Sequence, residues 1–189
     1  MEQHPQQSIR NILIWLKKWD KKWQTVDIHL CLAAAVTVGL MGAAARGVKS
    51  GGGYILGVIP KFFDEERVEA ICDFCDELIQ PDTMRQRKQL MEDNADAFII
   101  VPGGIGTYEE FFEILTLKQL CRHNKPIALY NIMGYYDDIN YAMEQAMKKN
   151  FIRDNCKELY YVTDDLNDLL RYVETPVEKI RTVKELKDG

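Results

Sequence analysis

The stretch VPGGIGTYEE, residues 101 to 110, sets three glycines and a threonine between an apolar run and two glutamates. Glycine lets a backbone approach a ligand closely, and the first amides of a helix carry partial positive charge. If Phe98 to Val101 is a strand and Thr107 opens a helix, PGGIGT is a turn at the carboxyl edge of a sheet, with amides turned to an anion. A phosphate site is the natural reading. No lysine follows the last glycine, so this is not a Walker loop, and Glu109 stands where a dinucleotide fingerprint has its third glycine. The same residues admit a purely structural role, because Thr107 and Glu110 have the spacing of a capping box.

A second concentration of chemistry lies upstream in TMRQRKQLMEDN, residues 83 to 94, where Arg85, Arg87 and Lys88 make a dense basic cluster on a helical pattern. Arginine at such a place suits charge-assisted hydrogen bonds to a phosphate or a sugar. The competing reading is a solvated basic face, with Lys88 paired to Glu92 one turn on.

The elements that must position these residues alternate. LCLAAAVTVGLMGAAA, residues 30 to 45, reads as a buried passage from strand to helix and is short for a membrane span. GYILGVIP, residues 53 to 60, reads as a buried strand. DEERVEAICDFCDELI, residues 64 to 79, reads as a helix with Val68, Ile71, Cys72, Cys75 and Leu78 on one face. After the strand DAFIIVPGG come the helix TYEEFFEILTLKQLCRH, the strand KPIALYN, the helix GYYDDINYAMEQAMKKNF, the strand KELYYVTDD with a capping Thr or Asp, and the helix DLNDLLRYVE. Strands alternating with helices predict an α/β class, a three-layer modified Rossmann fold with a mainly parallel sheet flanked by helices. Ligands in such folds sit at the carboxyl ends of the strands, where the glycine loops fall.

Composition narrows the function. The chain of 189 residues, 47% hydrophobic and 28% charged, suits one compact domain with a full core. A net charge of −5 gives no basic field, which argues against nucleic acid as a partner. Five cysteines at irregular spacing argue for free thiols in a reducing, cytoplasmic setting. Cys72 and Cys75 form a C-x-x-C inside the expected helix; with Cys121 and His123 a zinc site is conceivable, but buried thiols are the preferred reading and no metal is expected. His29 and His123 stand alone, and Tyr135 and Tyr136 read as core and dimer-edge packing residues. NILIWLKKWDKKW, residues 11 to 23, could form an amphipathic helix against the body, and no membrane association is expected from it.

Pro102 to Glu110 matches the P-G-G-x-G-T-x-x-E signature of the Lonely Guy family, the cytokinin riboside 5'-monophosphate phosphoribohydrolases, often labelled lysine decarboxylase-like. Met84, Arg87, Lys88 and Met91 resemble that family's M-x-x-R-K-x-x-M motif, and VGLMGAAA, GVIPKFF and QLCRHNKPIALYNIMGYYD extend the likeness across roughly Val38 to Thr163. The resemblance implies a homodimer that hydrolyses the N-glycosidic bond of a nucleoside 5'-monophosphate without a cofactor. It implies Arg87 and Glu110 as catalytic residues, and Met84, Lys88, Gly103, Gly104, Gly106 and Thr107 as substrate-binding residues. A carboxylate near the anomeric carbon can stabilise oxocarbenium character, hold ribose hydroxyls or direct a water.

The amino end departs from that family. Residues 1 to 37 form a divergent segment, and the Rossmann-like nucleotide-monophosphate-binding core is expected over 38 to 189, a single domain overall. Alanines 33 to 35 lie close to where the family has glycines, and its C-G-S loop is missing. Either the pocket has diverged, or the first three dozen residues are not in the native reading frame; the abrupt start of the match at Val38 favours the second. Two other functions compete with hydrolysis. One is a nucleotide-binding carrier or sensor without turnover. The other is a decarboxylase, which needs a Schiff-base lysine with pyridoxal phosphate, and nothing in the sequence marks one.

Overall fold

The computed structural model describes residues 29–32, 39–65, 75–175 and 181–187. The possible amino-terminal helix, Ala33 to Ala35 and Cys72 lie outside them. The chain divides into two compact units, Met1–Ala95 and Asp96–Gly189, and each carries one three-stranded parallel sheet with helices between its strands.

In the first unit the order is β1 (His29–Leu32), α1 (Gly39–Ser50), β2 (Tyr54–Val58), α2 (Lys61–Glu65), β3 (Glu77–Ile79) and α3 (Met84–Asn94). The central strand is β2, in register with β1 from His29 opposite Tyr54 to Leu32 opposite Gly57, and with β3 from Leu56 opposite Glu77 to Val58 opposite Ile79. Being covered on both edges, it reads as a continuous apolar run, and Ile55, Val58 and Ile59 are fully buried. Ala43, Ala44, Ala45 and Val48 give α1 a buried face of small side chains. β1 falls inside the segment expected to be divergent, so the sheet of this unit starts earlier in the chain than the family likeness does.

The expected helix over residues 64 to 79 is corrected at its carboxyl end, while 66–74, with Val68 and Ile71, lie outside the described residues. Helix α2 covers Lys61–Glu65, and Glu77–Ile79 is a strand in which Leu78 is exposed rather than on a core face. Asp76 explains the outcome: its carboxylate accepts from the Ile55 amide at 2.8 Å, its own amide donates to the Ile55 carbonyl at 2.9 Å, and it pairs with Lys49. The Lys49 ammonium, then the Ile55 amide, hold its carboxyl below the usual range. Contacts more than twenty residues away in the chain outweigh the local helical periodicity.

The second unit runs β4 (Phe98–Ile100), α4 (Ile105–Gln119), β5 (Ile127–Tyr130), a 3-10 turn (Ile132–Gly134), α5 (Asp137–Lys148), a second 3-10 segment (Asp154–Leu159), β6 (Tyr161–Thr163), α6 (Leu166–Glu174) and α7 (Val183–Lys187). The order in the sheet is β4-β5-β6, and all four residues of β5 are buried. Phe111 and Leu115 of α4 join Ile127, Leu129, Tyr136, Met147, Leu159 and Leu186 in one core. Asp165 caps α6 as the sequence suggests, accepting from the amides of Asn167 at 2.7 Å and Asp168 at 3.0 Å.

The stripe of α4 that carries Phe111 and Leu115 continues to Lys118, only 5% exposed. Burial lowers its ammonium from 10.5 to about 8. His123, at the end of the same segment, is fixed by the backbone. Its Nδ1 accepts from the Lys125 amide at 3.2 Å, so Nε2 carries the proton and donates to the Ile114 carbonyl at 2.9 Å. Burial is the main cause that holds His123 below its ordinary range, with Lys118 and Lys125 adding repulsion.

An unfolded Lys118 keeps its proton up to about 10.5, whereas the folded one releases it near 8. Between those values the unfolded state binds more protons, so stability contributed here rises with pH, and below 8 the full penalty is present. The buried phenols of Tyr130, Tyr136 and Tyr160 are pushed up and act in the opposite sense only above the ordinary tyrosine range. Lys118→Met is therefore expected to stabilise the protein at pH 7 by on the order of 1–3 kcal/mol, and the gain should shrink toward pH 9.5, within reach of urea titrations at both pH values. An equal gain at both pH values would show that packing rather than ionisation is responsible.

Candidate functional site

The expected residues fall on α3 in the first unit and on α4 and the loop before it in the second. In the first unit, Thr83 opens α3 with a capping box: its hydroxyl accepts from the Gln86 amide at 3.2 Å while the Gln86 side chain accepts from the Thr83 amide at the same distance. That start makes Met84 the first helical residue and sets Met84, Arg87, Lys88 and Met91 at the spacing of one helix stripe. Met84 is partly exposed and Lys88 half-buried, but Arg87 is only 6% exposed. The solvated-face reading of Arg87 fails on that number. A guanidinium so enclosed needs polar partners from the protein or from a ligand. The capping box was legible in T-x-x-Q and marks where the helix begins.

In the second unit the glycine stretch links β4 to α4, as expected, but the helix begins at Ile105 with Gly104 as its N-cap. Thr107 is thus its third residue, the Thr107 and Glu110 capping box does not form, and no side chain caps the helix. The cause is the tight path of the turn. The Thr107 hydroxyl folds back over Gly103 and lies 2.1 Å from where a Cβ of that residue would sit. Only glycine fits there.

Gly104 and Gly106 differ from Gly103. A Cβ at either would meet nothing within 4 Å, and both are exposed. Gly104 has φ −85° and ψ −159°, a conformation open to any residue. Among the described residues, neither internal packing nor backbone strain calls for glycine at position 104, which leaves the position open to close approach from outside. The first amides of a fifteen-residue helix, which lack intrahelical acceptors, stand at this open edge. Glu110 lies half-buried on the second turn of the same helix, and Glu109 is exposed.

Sequence reasoning missed the support beneath this loop. Tyr136 donates to the Val101 carbonyl at 2.6 Å and Tyr135 to the Gly103 carbonyl at 2.5 Å. Tyr108 stacks on Tyr135 with ring centroids 6.3 Å apart and meets Tyr136 edge-on at 6.2 Å. The Tyr108 phenol is raised, chiefly by hydrogen bonding to Tyr135. Tyr136 is fully buried, as a core residue should be; Tyr135 is 43% exposed and tied to the loop by its hydroxyl. The G-Y-Y-D string held the signal, though nothing in it points to residues thirty positions earlier.

Three free cysteines stand among the described residues. Cys75 belongs to the first unit, half-buried; Cys121 and Cys156 belong to the second, where Cys121 is exposed and Cys156 buried, so the expectation of buried thiols holds for Cys156 and fails at Cys121. Among the described residues no group of His, Cys, Asp and Glu could hold a metal ion, and no helix is long and apolar enough to cross a membrane.

Comparison with known proteins matches the sequence to a family. Residues 41–173 fit the family model described as possible lysine decarboxylase. The chain is 38% identical over 134 residues to a cytokinin riboside 5'-monophosphate phosphoribohydrolase of Mycobacterium tuberculosis, covering 71% of each chain. It is 36% identical over 143 residues to an Arabidopsis thaliana protein of the same name, covering 76% of this chain and 66% of that one. A probable enzyme of that name from Oryza sativa is 36% identical over 80% of this chain and 61% of its own length. The chain thus spans about two thirds of the length of these relatives. Among solved structures, the molybdenum cofactor carrier protein of Chlamydomonas reinhardtii aligns with a TM-score of 0.62 at 21% identity over 87% of each chain. The molybdenum cofactor binding protein of Rippkaea orientalis aligns with a TM-score of 0.56 at 17% identity over 92% of each. At that identity these two establish the fold, an α/β architecture of parallel sheets flanked by helices, and nothing more. With the glycine loop, the M-x-x-R-K-x-x-M helix and the family match in agreement, the chain belongs to the Lonely Guy family, the group whose family model carries the lysine decarboxylase description.

Proposed function

We propose that this protein hydrolyses the N-glycosidic bond of a nucleoside 5'-monophosphate, a cytokinin riboside 5'-monophosphate or AMP, releasing an adenine-type base and ribose 5-phosphate. The observation that carries the reading is the pair Gly104 and Gly106, bare toward open space at the start of α4 where no internal contact requires glycine. The names of the relatives, at 36% to 38% identity, agree with it. In this reading the amides of the glycine loop and the Thr107 hydroxyl bind the phosphate. Arg87 holds the nucleotide by charge-assisted hydrogen bonds, with Met84 and Lys88 beside it on the same helix. Glu110 serves the anomeric carbon as the bond to the base nitrogen lengthens, stabilising positive charge there or directing the water whose oxygen replaces the base. The base leaves with a proton. The reading includes a homodimer in a reducing cytoplasmic setting, with no cofactor or metal.

Incubation with AMP and with isopentenyladenosine 5'-monophosphate, followed by chromatography, is expected to show free base. Glu110→Ala should lower kcat by at least about a hundred-fold while leaving nucleotide binding measurable. Binding of nucleotide by the parent with no base released would instead favour a carrier or sensor.

The glycines separate by role. Gly104→Ala is expected to leave the thermal midpoint unchanged and to raise KM for the nucleotide about ten-fold or more, since the new methyl meets only the ligand. Gly103→Ala should destabilise the fold by roughly 1–3 kcal/mol, because its methyl and the Thr107 hydroxyl cannot share one space. Thermal melts beside steady-state kinetics read both; equal KM values for parent and Gly104→Ala would count against a phosphate at this loop.

A further inference from the structure

We propose that Tyr135 is a positioning residue for the phosphate loop: its hydroxyl holds the Gly103–Gly104 peptide plane so that the Gly104 amide faces the nucleotide phosphate. The inference rests on the phosphate-binding reading above and adds a residue to it.

The peptide plane joining Gly103 to Gly104 has glycine on both sides, so no Cβ hinders its rotation. A flip of that plane would turn the carbonyl oxygen, the negative end of the peptide dipole, toward a bound anion. In a trans peptide the carbonyl and the amide point opposite ways. Whatever holds the Gly103 carbonyl therefore aims the Gly104 amide. That anchor is the Tyr135 hydroxyl, which donates to the carbonyl oxygen at 2.5 Å. The neighbouring bond from Tyr136 to the Val101 carbonyl, 2.6 Å long, holds a peptide that ends in Pro102 and has no amide to present. Tyr136 fixes where the loop starts; Tyr135 sets which way its amide looks.

The tyrosine can act as an anchor because its own segment is rigid. The Asn131 amide donates to the Thr163 carbonyl at 2.8 Å, which ties the segment to the sheet. The Asn131 side chain accepts from the Tyr136 amide and donates to the Asp137 carboxylate, each at 2.7 Å. Met133 and Gly134 both adopt left-handed backbone, φ 57° and 72°, and a Cβ on Gly134 would sit 2.5 Å from Asp137 Oδ2. Stacking on Tyr108 fixes the ring from its face.

Tyr135→Phe keeps the ring and its stacking and removes only the hydroxyl; since the residue is 43% exposed, the thermal midpoint should hardly move. The expected result is a rise of about five-fold or more in KM for AMP and in the Kd of ribose 5-phosphate by calorimetry, with kcat within about two-fold of the parent. In the ligand-free protein the NMR amide resonance of Gly104 should shift or broaden, as a freed peptide plane requires. Tyr136→Phe provides the contrast, with a lower thermal midpoint because a buried hydrogen bond is lost. Unchanged ribose 5-phosphate affinity in Tyr135→Phe, or weaker affinity with an unmoved Gly104 resonance, overturns the positioning role while leaving phosphate binding intact. A folded parent that binds neither AMP nor ribose 5-phosphate overturns the phosphate reading and this inference with it.

Discussion

The passage from β4 to α4 closes on one contact, the Thr107 hydroxyl seated where Gly103 would carry a Cβ. Four residues, Val101 to Gly104, separate the last residue of the strand from the first of the helix, so the chain must turn within them. Folding Thr107 back over Gly103 shortens the turn and brings the helix start forward to Ile105. It also removes Thr107 from the capping role that its spacing with Glu110 suggests. The helix then begins with two exposed glycines and no side-chain cap, a start that leaves its first amides open to an anion.

The second unit treats two carbonyls of this loop as anchor points. Both accept from tyrosines that leave the carboxyl end of β5 on a short segment with two successive left-handed residues. Aromatic rings give stiffness with few rotatable bonds, and phenolic hydroxyls reach across the sheet edge. Glycine and aromatic residues are complementary here: glycine permits close approach, and the two tyrosine hydroxyls bind carbonyls of the loop.

Two buried cations show how differently the fold uses charge. Arg87 is enclosed on a helix whose neighbouring positions are basic. Lys118 completes an apolar stripe after Phe111 and Leu115, and burial alone accounts for its lowered ammonium. An ammonium so enclosed gives up its proton more readily than a solvated one.

By itself the sequence determined the alternation of strands and helices, the glycine turn at a strand's carboxyl end, the candidates Arg87 and Glu110, and the family. These depend on residue type at short spacing, which the chain carries locally. It also held, unread, the Thr83 capping box that starts α3. Tertiary structure alone decided that Glu77–Ile79 pairs as a strand, because the bonds from Asp76 to Ile55 and Lys49 come from far along the chain. It likewise decided that Arg87 is buried rather than solvated, that the helix starts two residues before Thr107, and that Tyr135 reaches Gly103. Local periodicity says which face of an element is apolar, but only packing says what lies opposite it.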